Sequence, residues 1–194
     1  MEQISQALLE RLRQTYGQPA VERVQEWQAL IRSAKDLPEP EKLSKVNDFF
    51  NRRIRFVDDR DLWGKPDYWA TPLESLARGA GDCEDYTIAK YFTLKELGVP
   101  EDKMRLTYVK AIRLNQAHMV LTYFAAPRAV PMVLDNLISA IEPADRRTDL
   151  LPVYSFNGIG LWLAKQSGHD RRVGDPDRLD LWSHLKQRML EQNF

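Results

Sequence analysis

The sequence predicts an α+β fold, and three observations predict it. Apolar residues recur at helical spacing through the first half of the chain, while after Pro100 alternation at period two takes over, rich in β-branched and aromatic residues. The chain's one cysteine, Cys83, opens the last helix before that change. The plan is therefore a cysteine-bearing helix packed on an antiparallel sheet, with additional helices toward the N-terminus.

The opening MEQISQALLERLRQTYG interleaves charges with Ile4, Leu8 and Leu12, the pattern of an amphipathic helix rather than the unbroken apolar core of a signal peptide. After a break at Gly17 to Pro19, the residues Val21, Val24, Trp27 and Leu30/Ile31 mark a second helix; after Pro38 to Pro40, Leu43, Val46 and Phe50 mark a third. An irregular aromatic stretch follows, FVDDRDLWGKPDYW. Its Trp63, Tyr68 and Trp69 read as packing beneath a neighbouring loop, and its acids from Asp58 to Asp61 as solvated. In TPLESLARG, Thr71 caps a short helix, Pro72 takes the first helical position, Glu74 completes a capping box and Gly79 terminates.

The segment CEDYTIAKYFTLKEL then combines good helix formers with Ile88, Phe92 and the Leu94/Leu97 pair, and Gly98 and Pro100 stop it. Cys83 therefore sits at a helix N-terminus. MRLTYVKAI, HMVLTYF and AVPMVLDNL read as three consecutive antiparallel strands. From Ser139 onward the pattern weakens. DRRTD and GHDRRVGDPDR read as solvated loops, and Leu181/Trp182, Leu185 and Met189 as a last amphipathic helix. The expected organisation is a single domain: a helical part over about 1–53, a core over about 54–162, and a C-terminal loop and helix over 163–194.

Composition narrows the function. With 28 basic and 28 acidic residues the chain carries no net charge, which gives no basis for nucleic-acid binding or for attraction to an anionic membrane. No stretch approaches the roughly 20 apolar residues of a membrane span. A small or peptide-like partner is expected. One cysteine makes no internal disulfide and no zinc site by itself, so its chemistry is that of a free thiol.

That thiol stands in GAGDCEDY, among Asp82, Glu84 and Asp85, where negative neighbours raise a thiol's pKa and weaken it as a nucleophile. A nucleophilic thiol needs a base within hydrogen-bond reach and a third group to orient that base. Of the three histidines, His169 and His184 lie in or beside charged, loop-like or terminal sequence, whereas His118 opens a strand. A hairpin turn centred between Ala126 and Pro127 sets His118 opposite Asp135, on one face of the sheet.

Cysteine at a helix start, histidine at one strand's start and aspartate at its neighbour's end resemble the order in papain-like and transglutaminase-like enzymes. WATPLESLARGAGDCEDY, AHMVL and VLDN resemble, more closely, the bacterial transglutaminase-like cysteine proteinases, from about Asn47 to about Trp162. The resemblance implies Cys83 as nucleophile, His118 as base and Asp135 as orienting acid. It also implies calcium dependence, with Asp82 and Glu84 as ligands; Asp85 joins them by proximity. Ca²⁺ takes oxygen ligands, and a bound dication would cancel much of the field that opposes the thiolate.

Helix capping alone would also account for these acids. The implied substrate is the N-terminal region of a large bacterial surface adhesin, cut at a small-residue site around paired alanines, so that its release disperses biofilm. The implied setting is the periplasm, with a leader removed from this chain and an inner-membrane cyclic di-GMP receptor that sequesters the protease. Two readings stay open beside hydrolysis: acyl transfer to an amine by the same residues, and a non-catalytic binding module of the same fold.

Overall fold

In the computed structural model, which describes residues 4–164 and 170–192, the helices come first and the sheet second. Ser5 opens α1 (Gln6–Tyr16) by accepting from the Leu8 amide at 3.2 Å, and Gly17, at φ 83°, turns the chain into α2 (Gln18–Ala34). α3 (Glu39–Arg53) follows the proline break. The stripes expected from the sequence are buried: Val21, Val24 and Trp27 on α2, and Leu43, Val46 and Phe50 on α3.

Past α3 the chain forms β1 (Arg55–Phe56), α4 (Asp59–Trp63), α5 (Pro72–Arg78) and β2 (Ala80–Gly81). The capping box of Thr71 and Glu74 is formed, and Gly79 ends α5 in the left-handed conformation at φ 63°. β1 pairs with β2 in parallel, Arg55 beside Ala80 and Phe56 beside Gly81, which ties FVDDR to GAGDC. Trp63 and Tyr68 pack on each other at 4.6 Å, and Trp69 stacks on Phe156 at 5.6 Å.

α6 (Cys83–Glu96) is the central helix, flanked by α3 and α5 and laid on the sheet. Ile88, Ala89, Tyr91 and Leu94 are fully buried, and its polar Asp85, Thr87, Lys90 and Thr93 are buried as well. A helix buried along most of its length must satisfy most of its polar groups within the protein, although Lys90 Nζ has no hydrogen-bond partner among the described residues. Trp27 Nε1 donates to Thr93 at 2.9 Å, and Lys42 Nζ donates to the Leu97 carbonyl at 2.7 Å beyond the helix end.

The remaining strands are β3 (Met104–Ala111), β4 (Gln116–Tyr123), β5 (Met132–Leu134), β6 (Glu142–Pro143), β7 (Leu150–Phe156), β8 (Leu161–Leu163) and β9 (Arg171–Gly174). They form an antiparallel seven-stranded sheet in the order β6-β5-β4-β3-β7-β8-β9, and α7 (Asp180–Glu191) closes the fold. Trp182 of α7 stacks on Phe92 of α6 at 5.6 Å. Met119 and Leu121 of β4 join the helical core, whereas Val109, Val120 and Val133 form a smaller cluster.

The sheet corrects two readings of the sequence. The segment after Ser139, where the pattern weakens, contributes β6 to β9. β7 escapes pattern reading because Pro152 interrupts it; the proline sits beside an irregularity, where Tyr108 pairs with Tyr154 but Val109 with Pro152. GHDRRVGDPDR holds β9, an edge strand whose exposed arginines keep it from pairing further.

The β4–β5 register also differs. Leu121 pairs with Leu134 and Tyr123 with Met132, across the connection 124–131 rather than a tight turn at Ala126 and Pro127. Extending that ladder one step sets Asp135 opposite Val120, two residues from His118. An even slip keeps the face, so both side chains still meet.

Gly81 is required by its neighbour, because a Cβ there would stand 2.7 Å from both Cβ and Oδ2 of Asp85. Gly81→Ala is expected to cost about 1–3 kcal/mol through this overlap, read as a lower urea midpoint at unchanged m-value.

Candidate active site

Cys83 begins α6, where backbone amides lack intrahelical acceptors. The hydroxyl of Thr87, one turn later, donates to the Cys83 carbonyl (2.9 Å) and lies 3.1 Å from the Met119 carbonyl, so the helix start is held against the first residues of β4, beside His118. The thiol donates to Glu84 Oε2 at 2.8 Å, and the Tyr108 hydroxyl donates to Oε1 of the same carboxylate at 2.7 Å. Among the described hydrogen bonds none joins the thiol to His118. Burial pushes the Cys83 thiol well up, the charge and hydrogen bond of Glu84 and the charge of Asp82 push it further, and only the Met119 backbone amide works the other way.

His118 and Asp135 are brought together: Nε2 lies 2.7 Å from Oδ1, and both side chains are buried. Asp135 Oδ1 also accepts from the Leu137 amide at 3.1 Å, while Asn51 Nδ2 donates to its backbone carbonyl at 2.8 Å. Burial would raise the Asp135 carboxyl, but the hydrogen bond and charge of His118 and the hydrogen bond of Arg147 outweigh it and hold it at about 2. An ionised Asp135 accepts, so Nε2 carries the proton and Nδ1 is the nitrogen left for a thiol. Arg147 was read as part of a solvated loop; it is 5% exposed, and its Nη2 donates to Asp135 Oδ2 at 2.8 Å.

The carboxylates sort differently from the expected set of Asp82, Glu84 and Asp85. Asp59, Asp82 and Asp85 come together, each offering an oxygen within 4.8 Å of the others, while both oxygens of Glu84 are engaged by Cys83 and Tyr108. Asp59 is the residue that sequence reading missed, since it looked like one more acid of a solvated run; it is 4% exposed. The β1–β2 pairing delivers it, and no local pattern signals that pairing.

Asp85 Oδ1 accepts from the Ala70 amide at 2.8 Å and Oδ2 from the Asp82 amide at 3.3 Å; the Tyr68 amide donates to Asp59 Oδ2. Asp59 Oδ1 and Asp82 Oδ1 are buried and have no hydrogen-bond partner among the described residues. Burial, followed by the charges of Glu84, Asp85 and Asp59, pushes Asp82 up to about 10; burial is also the main cause that lifts Asp59 to about 6 and Asp85 well above the usual range. Crowded carboxylate oxygens with free lone pairs fit a hard cation such as Ca²⁺. Of the other histidines, His184 lies on α7, and His169 falls outside the described residues.

A helix bearing a free thiol at its start, set against strands that bring together a buried histidine–aspartate pair, is the arrangement of a transglutaminase-like fold. A profile of the bacterial transglutaminase-like cysteine proteinases (BTLCP) matches residues 21–151, and the chain belongs to that family. Among solved structures it is similar to Legionella pneumophila LapG in its EGTA-treated form, with 45% identity over 96% of this chain and 98% of that one and a TM-score of 0.82. A second LapG structure gives 44% identity, 96% and 98% coverage and a TM-score of 0.81. The calcium-bound form gives 44%, 96% and 99%, with a TM-score of 0.80. No curated protein sequence matches the chain significantly.

The raised carboxyls give a pH dependence with a definite sign. In chelator, folded Asp59 keeps its proton to about pH 6 and Asp82 beyond, whereas in the unfolded chain both ionise near pH 4. The folded state binds more protons, so stability in chelator is expected to fall as pH rises from about 4 through 6. Asp82→Asn is expected to raise the chelator-treated Tm at neutral pH; thermal unfolding scans across this range check both.

Proposed function

We propose that the chain is a calcium-dependent cysteine endopeptidase using Cys83, His118 and Asp135. The observation that carries this is the 2.7 Å His118–Asp135 hydrogen bond beside the helix start that bears the chain's one thiol. In this reaction the Cys83 thiolate attacks the scissile carbonyl, and His118 protonates the departing amine, leaving a thioester. His118 then takes a proton from water, whose hydroxide frees the acid and restores the thiol. Asp135 holds the imidazole, and the Cys83 amide at the start of α6 donates to the developing oxyanion.

Asp59, Asp82 and Asp85 would hold the calcium, which supplies positive charge beside the thiolate. Both orphaned oxygens, and the calcium-bound form of the similar Legionella LapG, support this assignment. Glu84, whose two oxygens accept from Cys83 and Tyr108, lies beside this cluster and adds its charge to it.

The substrate in this reading is the N-terminal region of a large surface adhesin, cleaved at a small-residue, paired-alanine site in the periplasm to promote biofilm dispersal. An inner-membrane cyclic di-GMP receptor sequesters the enzyme when the signal is high. The family and the 45% identity to LapG support this placement, and among the described residues no helix is long and apolar enough to cross a membrane.

Cys83→Ser is expected to abolish cleavage of an adhesin N-terminal fragment while leaving the unfolding midpoint near wild type, His118→Ala to be similarly severe for activity, and Asp135→Asn to retain more activity. Mass-spectrometric mapping of products checks this; ordinary cleavage by Cys83→Ser overturns the reading. Chelation is expected to suppress activity, with recovery in Ca²⁺ and poor recovery in Mg²⁺, which demands octahedral geometry and keeps its waters. Asp59→Ala is expected to weaken calcium binding at least about tenfold, measured by titration calorimetry on the same preparations. Full activity after metal removal would refute the calcium role.

A further inference from the structure

Outside the Cys83, His118 and Asp135 set, a buried arginine hydrogen-bonds to that set and takes part in no step above. Arg147 lies in the turn between β6 and β7, where its amide donates to the Ala144 carbonyl and its own carbonyl accepts from the Leu150 amide, each at 3.1 Å. Nε and Nη2 donate to Oδ1 and Oδ2 of Asp149 at 3.0 and 2.9 Å, and Nη2 also reaches Asp135 Oδ2 at 2.8 Å. A two-point fork fixes a guanidinium's plane as well as its position. Asp135 is thereby held at both oxygens: Oδ1 by His118 and the Leu137 amide, Oδ2 by Arg147. Turning the carboxylate away from the imidazole breaks the Arg147 bond in a buried site, where an unmade hydrogen bond to charge is costly.

We infer that Arg147 is a positioning residue of the active site, fixing through Asp135 Oδ2 the carboxylate that orients His118. The inference rests on the proposed role of Cys83, His118 and Asp135. Its guanidinium also offsets the Asp135 charge that the imidazolium feels. The other charged groups facing Asp135 are His118 from β4, Lys90 from α6 and Asp149, which also pairs with Arg147; Asp48 of α3 faces Lys90. Burial pushes Lys90 down to about 7, and it is common to every variant below.

The test is the pH profile of Cys83 alkylation by iodoacetamide in Ca²⁺, a clean probe because the chain has one cysteine. It is run beside kcat and KM on a peptide containing paired alanines. Arg147→Met is expected to move the alkaline limb of the profile upward by about 0.5 to 2 pH units, the range for losing a unit charge about 6 Å away between effective dielectrics of about 80 and 20. It should also lower kcat about 10- to 100-fold with KM nearly unchanged, the scale of outer-shell orienting residues.

In an Asp135→Asn background the same substitution should cost less than about threefold, since Arg147 then has no carboxylate to hold. Arg147→Lys keeps the charge and should restore the limb with part of kcat. If Arg147→Met fails to fold, Arg147→Gln, which keeps one donor, is expected to show the same shift. An unshifted limb with equal losses in both backgrounds overturns the inference. Cys83→Ser, assayed in parallel, separates the two failures: cleavage by that variant sinks the catalytic reading itself, whereas its inactivity beside indifferent Arg147 variants sinks only the role of Arg147.

Discussion

A carboxylate carried out of water needs positive charge or strong donors to meet it, and the N-terminal end of α6 imposes that need twice. On one side Asp135 is met within the chain, by His118, the Leu137 amide and Arg147, and stays ionised. On the other, Asp59 and Asp85 accept from backbone amides, but neither they nor Asp82 form an ion pair among the described residues, and burial drives all three toward the protonated form. Cys83 borders both groups. A permanent guanidinium serves the first; the calcium proposed for the second would supply its charge from outside, which gives a physical reason for surrounding the proposed nucleophile with acids.

The same constraint explains why α6 is so enclosed. Its first turn carries Asp85 against Gly81, an approach only a glycine allows, and its hydroxyl at Thr87 ties the helix to β4. α3, α5 and the sheet enclose the rest. Groups whose protonation depends on neighbours a few ångströms away need rigid supports, and a helix start docked on strand ends supplies them.

α3 and the turn before β7 extend that support outward. Asn47 of α3 donates to the Ser139 carbonyl at 3.0 Å and Asn51 to that of Asp135, so the segment leaving β5 is pinned where it carries the aspartate. The residues that hold the proposed catalytic groups thus come from parts of the chain remote in sequence, although those groups themselves lie on α6, β4 and the end of β5.

What the sequence determined by itself was whatever depends on neighbours along the chain. Helical stripes, the Thr71–Glu74 capping box, the start of α6 at Cys83 and the first strands are local effects of periodicity and turn chemistry, and the structure reproduces them. The His118–Asp135 meeting was legible for a related reason: even a misplaced turn slips the register by two, which leaves the face unchanged. Only the tertiary structure decided which charges are buried. Asp59 and Arg147 each sit in a run of charged residues that reads as solvated, and each is drawn inward by a pairing that sequence spacing does not reveal, β1 with β2 for the one and the Asp135 carboxylate for the other. β7 and β9 were hidden likewise, since a proline beside a bulge and a charged edge strand carry no alternating pattern. Burial of a charge is set by the partner that meets it, and that partner is fixed only when the chain has folded.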